Sequence, residues 1–387
     1  MNYANKTLNE LILICKSNNI KGYSGKKKDE VIELINFNDN KKNKGQFYTT
    51  NSSYILDGFK LEIDNVDFII EPFAGQGDLV DWIKNKNIKI PILAYDIEPK
   101  NDYIIKQDTL INPPNYNNSF IITNPPFLAR NKSNDKEIYD LYNTNDLYKC
   151  FIESVVSQNN CKGGIFIIPA GFFFSNRDID VRCRNNFMKN YKINKVKYFE
   201  ETVFNDTSTT IVAFYFEKSD VILTEQNVIW EKMPIKEEKI FNMSSLNNWI
   251  IGGDIYNLPI NKKISIRRYV EGKALKDNEQ LTNITLNALD SGTQNGRISL
   301  TYKKDYVYPA KECSRTYATL CITGKTLTEL DQNNLCLKFN EFIEKKREET
   351  WSLFLPQFRE SKEYARKRIP FELVYNIISH LLSLENY

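Results

Sequence analysis

The chain has one histidine in 387 residues, His380, and it lies in the apolar run Ile377-Ile378-Ser379-His380-Leu381-Leu382. A single imidazole on an apolar helical stretch fits a core or helix-surface role and disfavours a histidine-based hydrolase triad or a His-rich metal site. The seven cysteines (Cys15, Cys150, Cys161, Cys183, Cys313, Cys321 and Cys336) are scattered, without a C-x-x-C pair. An odd, dispersed set fits reduced thiols better than a disulfide frame or a zinc site, and no metal is expected. There is no apolar run of membrane-spanning length, and MNYANKTLNE has no signal-peptide pattern. A soluble, intracellular protein with no membrane partner is expected. Net charge is only +3, which neither demands nor excludes nucleic acid.

What is present is ordinary globular material, 41% hydrophobic and 26% charged, enough for two or three domains. Basic residues cluster as Lys26-Lys27-Lys28, as Lys41-Lys42-Asn43-Lys44, and near the C-terminus as Arg359, Lys362, Arg366, Lys367 and Arg368. Within residues 1–37, Leu8, Leu11, Ile12 and Cys15 have helical spacing. A Gly22-Tyr23-Ser24-Gly25 turn follows, then a second amphipathic stretch with Val31, Ile32 and Ile35. Residues 37–44 read as a linker. From 45 to 225, short apolar strands alternate with helices at 76–86, 146–158 and 178–190, a rhythm that predicts a doubly wound α/β domain. Beyond 226 the pattern shifts to a mixed α+β region, strand- and turn-rich over 282–308 and helical over 338–350 and 356–386.

The most informative segment is Asn124-Pro125-Pro126-Phe127, which closes the apolar strand Ser119–Thr123. Proline fixes φ and donates no hydrogen bond, so the turn is stiff and its carbonyls remain acceptors. The Asn124 amide oxygen and the Pro125 carbonyl can both accept from one exocyclic amino group, and Phe127 offers a flat face for stacking. The near-copy Asn112-Pro113-Pro114-Asn115 has neither the strand before it nor the aromatic after it and reads as a polar turn. The polar segment 128–145 is expected to be a mobile loop.

A second constellation precedes the turn. Phe68-Ile69-Ile70-Glu71-Pro72-Phe73-Ala74-Gly75-Gln76-Gly77-Asp78 is a strand, a glycine-bearing loop and a helix start, but not the G-x-G-x-x-G of a dinucleotide cradle. Glu71 at the strand end can meet the amino group of an amino-acid moiety, with Gly75 and Gly77 letting backbone approach a ligand. Asp96 ends the next strand, where a carboxylate binds ribose hydroxyls, and Asp108 follows the third, placed for an adenine amino group.

This order resembles the S-adenosylmethionine-dependent N6-adenine DNA methyltransferases over residues 45–217. Gly45-Gln46-Phe47-Tyr48-Thr49 is similar to the family's N-terminal motif, though Thr50 stands where proline is usual, and Tyr48 and Thr49 carry over as cofactor contacts. Glu71, Phe73, Ala74, Gly75 and Gly77 are similar to its cofactor loop, Asp96 and Asp108 to its ribose and adenine acids, and Asn124 to Phe127 to its catalytic turn. Phe204, in Glu200-Glu201-Thr202-Val203-Phe204, resembles a second aromatic stacked on the flipped base. The linear order resembles the γ arrangement, and residues 1–37 resemble a SAP-type DNA-binding unit carrying Lys26, Lys27 and Lys28. The resemblance implies a Rossmann-like domain, S-adenosylmethionine, double-stranded DNA, base flipping and a possible cognate restriction nuclease. An RNA adenine or a protein glutamine would suit the same pocket, and an inert DNA-binding protein is the remaining alternative.

Overall fold

A computed structural model describes residues 3–18, 20–43, 45, 49, 51–61, 63–204, 209–290, 296–358 and 366–384. At the N-terminus, α1 (Leu8–Ser17) starts at a capping box in which Thr7 and Glu10 satisfy each other's backbone N–H groups. It pairs with α2 (Lys28–Asn43) over a small core of Leu11, Cys15, Val31 and Ile35. Helix α2 runs to Asn43 and so takes in the stretch expected to be a linker; a helix already nucleated by a packed face extends through polar residues at little cost. Helix α3 (Ser52–Leu56) follows, with Ile55 and Leu56 fully buried in the main core.

The main unit continues as β1 (Phe68–Glu71), α4 (Asp78–Lys84), β2 (Ile92–Asp96), β3 (Ile104–Lys106), β4 (Ser119–Thr123), α5 (Glu137–Leu141), α6 (Leu147–Gln158), β5 (Gly163–Pro169), α7 (Gly171–Phe174) and α8 (Asp178–Met188). It finishes with β6 (Tyr191–Phe199), β7 (Ile211–Lys218), β8 (Glu225–Met233) and β9 (Glu237–Ser244). The nine strands form one sheet in the order β3-β2-β1-β4-β5-β7-β6-β8-β9. Strands β1 to β5 are mutually parallel, and β7 lies antiparallel between β5 and β6. Every residue of β4 and β5 is buried, as expected of parallel strands covered on both faces.

Strand order reverses between β1 and β4, because the chain first builds outward through β2 and β3 and then returns to β1's other side. The carboxyl ends at such a switch point diverge into a crevice, where ligands bind in open α/β sheets. Glu71 ends β1 and Asn124 follows β4, so both constellations picked from the sequence meet at this crevice.

The expected boundary at 225 falls on the first residue of β8, which stays in the sheet. Strand β8 pairs parallel to β6, and its Val228 and Trp230 are fully buried in the main core. Beyond β9 lie a four-stranded sheet of β10 (Ser265–Arg268), β11 (Glu279–Asn287), β13 (Ser299–Tyr302) and β14 (Tyr317–Thr323), and a small sheet that includes β12 (Leu289–Asp290). Helix α9 (Glu329–Thr350) precedes β15 (Gln357–Phe358) and β16 (Arg366–Arg368), and α10 (Phe371–Ser383) closes the series. Within the helix expected over 356–386, the described residues form β15, β16 and then α10, with Pro370 as its N-cap, since a proline suits a helix start and breaks a helix interior. Among the described residues no helix is long and apolar enough to cross a membrane.

Candidate active site

Glu71 is fully buried at the end of β1, where its Oε1 accepts hydrogen bonds from Thr123 Oγ1 (2.6 Å) and the Phe73 backbone N–H (3.0 Å). Its Oε2 is buried with no hydrogen-bond partner among the described residues. Burial outweighs the two hydrogen bonds and pushes the carboxyl up to about 8. A buried acceptor atom of this kind calls for a donor from a ligand, and a protonated amino group is the most favourable one.

The loop after β1 is anchored to β2. The Ala74 N–H donates to the Tyr95 carbonyl (2.8 Å), and the Gly75 N–H to Asp96 Oδ2 (2.8 Å). The other oxygen of Asp96 accepts the Glu98 N–H at 2.8 Å, so this buried carboxylate is held in one orientation by two backbone donors. Asp108, after β3, accepts the N–H groups of Leu110 (3.1 Å) and Ile111 (3.2 Å) through Oδ1. Gly77 departs from its expected role: at φ +94° it leaves room for a protein side chain, since a Cβ there would stand 2.2 Å from Tyr103 Oη. Its bareness serves packing, and it does not line the cavity.

Asn124 is buried at the far side of the crevice, and its Nδ2 donates to Thr49 Oγ1 at 3.0 Å. The Phe127 N–H donates to the Gly45 carbonyl (2.9 Å), and the Leu128 N–H to Asp146 Oδ1 (3.1 Å). A cavity of about 310 Å³ is lined by Phe73, Gly75, Asp96, Asp108, Asn124 and Pro126, with Gln107, Leu128, Ser133, Asp135 and Ile138 among the other residues of its wall. Six of the residues named from the sequence thus share one cavity, and Thr49 reaches it through Asn124. Tyr48 lies outside the described residues.

Phe127 and Phe204 are both buried and touch each other, with ring centroids 6.4 Å apart and planes tilted by 52°. Tyr148 meets Phe127 edge-on at 6.3 Å. Neither phenylalanine lines the cavity. Lys26, Lys27 and Lys28 are exposed on the N-terminal unit, where Lys28 Nζ donates to the Ala4 carbonyl at 2.7 Å. The twin turn is held by Gln107, whose Nε2 donates to the Asn112 carbonyl (2.7 Å), and by Gln158, whose Nε2 donates to the Pro114 carbonyl (2.8 Å); it lies off the cavity.

Segment 128–145, expected to be a mobile loop, contains α5 and forms part of the cavity wall. Tyr139 is fully buried and its hydroxyl donates to the Leu128 carbonyl at 3.0 Å. Burial raises the Asp146 carboxyl to about 6 although it accepts backbone N–H groups. Sequence reasoning also missed Thr123, the partner of Glu71, and Gly45, on whose carbonyl the turn rests. The signal for Thr123 was a polar residue ending an otherwise apolar, all-buried strand.

A doubly wound sheet with acids at the ends of β1 and β2, and an Asn-Pro-Pro-aromatic turn at the switch point, defines a Rossmann-like methyltransferase. Residues 11–204 match the Eco57I restriction-modification methylase family, a span that contains every cavity residue, and the chain belongs to that family. Among solved structures, the chain is similar to a modification subunit of a putative type I restriction enzyme from Vibrio vulnificus (14% identity, TM-score 0.40, covering 55% of this chain and 53% of that one). It is also similar to a type I restriction-modification methyltransferase subunit from Streptococcus thermophilus (16%, 0.38, 53% and 51%). A third is a putative class I S-adenosylmethionine-dependent methyltransferase from Listeria monocytogenes (14%, 0.36, 60% and 75%). The chain spans about half the length of the first two. No match is found among curated proteins. S-adenosylmethionine is the expected cofactor, and the residues present fit it: Glu71 Oε2 is a buried acceptor with no donor among the described residues, and Asp96, in the cavity wall, is held by two backbone N–H groups; these two would meet its amino group and its ribose.

Proposed function

We propose that this chain transfers a methyl group from S-adenosylmethionine to the N6 amino group of an adenine flipped out of double-stranded DNA. The observation that carries the reading is the position of Asn124, which lines one cavity with Asp96 and Asp108 at the switch point of the sheet. When bound, S-adenosylmethionine supplies an electrophilic methyl group. Asn124 Oδ1 and the Pro125 carbonyl accept the two N6 hydrogens, which draws the nitrogen lone pair out of conjugation with the ring. The exocyclic nitrogen is barely basic, so no strong general base has to act before attack; as its bond to the methyl forms, the sulfur–methyl bond breaks, S-adenosylhomocysteine is left, and the surplus N6 proton passes to water. Positioning supplies most of the acceleration, and an intramolecular geometry of this kind is worth about 7–11 kcal/mol. An adenine inside a duplex cannot reach a site at this depth and must be extruded.

Phe127 and Phe204 then serve the flipped base. A ring sandwiched between two others needs roughly 7 Å between parallel planes, two carbon–carbon contacts of about 3.5 Å. The tilted contact between the two phenylalanines therefore opens as the base enters. Lys26, Lys27 and Lys28 serve as phosphate contacts, and residues beyond β9 as the part that selects the sequence, with a cognate nuclease as partner. The family match supports DNA as the substrate, since it is to restriction-modification methylases. Labelled S-adenosylmethionine offered with separate DNA, RNA and protein pools tests this: label in DNA, released as N6-methyladenine, is expected. Label in RNA or on glutamine would redirect the reading to those substrates.

A further inference from the structure

We infer that Thr49 is a positioning residue that acts through Asn124, holding its side chain in place beside the target amino group; the inference rests on the proposed methyl transfer. Asn124 has to keep its amide beside an incoming amino group for Oδ1 to accept from it. Thr49 Oγ1 accepts from Asn124 Nδ2 at 3.0 Å, and this buried bond fixes where the Asn124 amide sits. Both residues are buried, Thr49 at 4% and Asn124 at 8% exposure, so solvent has little access to replace the bond.

Thr49 is itself tied to the entry of α3. Threonine is stiff at χ1, and its carbonyl takes the Ser52 N–H at 3.2 Å at the entry to α3. The carbonyls of Tyr54 and Asp57, in and just after α3, receive Lys197 Nζ at 3.2 and 2.9 Å. At the other end of the same segment, Gly45 approaches the turn so closely that a Cβ would stand 2.6 Å from the Phe127 carbonyl oxygen. Thr49 and Gly45 thus meet the two ends of the Asn-Pro-Pro-Phe turn, at the Asn124 side chain and at the Phe127 backbone.

Thr49→Val keeps the shape and removes the hydroxyl, whereas Thr49→Ser keeps the hydroxyl. The measurements are kcat and KM for DNA methylation, with S-adenosylmethionine affinity by calorimetry. Thr49→Val is expected to lower kcat roughly three- to tenfold, the leverage of one neutral hydrogen bond, with cofactor affinity within about twofold of wild type. Thr49→Ser is expected to restore kcat to within about twofold. Weakened cofactor affinity at unchanged kcat would make Thr49 a cofactor contact and overturn the inference. An equal loss in both variants, or no loss in either, overturns it too while leaving the methyl-transfer reading intact. A wild-type protein inactive on DNA, RNA and protein alike overturns both.

Discussion

Thr123 Oγ1 donates a 2.6 Å hydrogen bond to Glu71 Oε1, tying the last residue of β4 to the last residue of β1 across the switch point. One residue later comes Asn124. Glu71 and the start of the Asn-Pro-Pro-Phe turn are therefore joined by a buried side-chain bond that adds to the β1–β4 backbone pairing. With Oε1 engaged by Thr123 and the Phe73 N–H, Oε2 is the oxygen with no hydrogen-bond partner among the described residues.

Cofactor affinity should depend on pH through Glu71. Its carboxyl is raised from 4.5 to about 8 by burial, so the folded protein holds a proton there that the unfolded chain gives up near 4.5. That group's contribution to stability is fully present below about 4.5 and is lost as pH rises toward about 8. An ammonium ligand reverses the preference and favours the carboxylate. Affinity for S-adenosylmethionine should therefore rise between about pH 6 and about pH 7, by up to about tenfold. Glu71→Gln should flatten that rise. Calorimetry in buffers of differing ionisation heat checks this, and a flat wild-type profile would remove Glu71 as the amino-group partner.

Asp96→Ala should weaken S-adenosylmethionine binding at least about tenfold and lower stability by about 2–3 kcal/mol, because the Gly75 and Glu98 N–H groups both lose a charged acceptor. Titration calorimetry and urea unfolding measure the two effects separately. Unchanged affinity alongside reduced stability would make Asp96 a loop anchor and not the ribose acid.

Gly45→Ala should displace the catalytic turn. At φ +65° an alanine is strained, and its methyl would meet the Phe127 carbonyl oxygen at 2.6 Å and Leu128 Cβ at 2.9 Å. A loss of more than about 1 kcal/mol in stability is expected, with methylation falling further than cofactor binding. Wild-type activity in this variant would show that the turn tolerates movement.

The sheet and the site were legible where local pattern and burial agree. Strands β1, β4 and β5 are short apolar runs whose ends carry Glu71 and Asn124, and turn chemistry marks those ends whatever the rest of the chain does. Phe73, Gly75, Asp96, Asp108, Asn124 and Pro126 were accordingly found from the sequence and share the cavity. Long-range packing was not legible. Segment 128–145 looks polar, yet Tyr139 and Asp146 anchor it through contacts no periodicity reveals. Strands β8 and β9 belong to the sheet only because β6 offers a second edge to pair with. The bareness of Gly77 was visible, but that Tyr103 and not a ligand fills the space was not.

The central claim is that Asn124 accepts the hydrogens of an adenine amino group beside the cofactor. Digestion of DNA incubated with S-adenosylmethionine and either wild type or Asn124→Ala, followed by mass spectrometry of the nucleosides, tests it most directly. N6-methyladenine is predicted with wild type and a loss of more than about a hundredfold in the variant, while the variant still binds S-adenosylmethionine. Near-normal N6-methyladenine from Asn124→Ala would contradict the account.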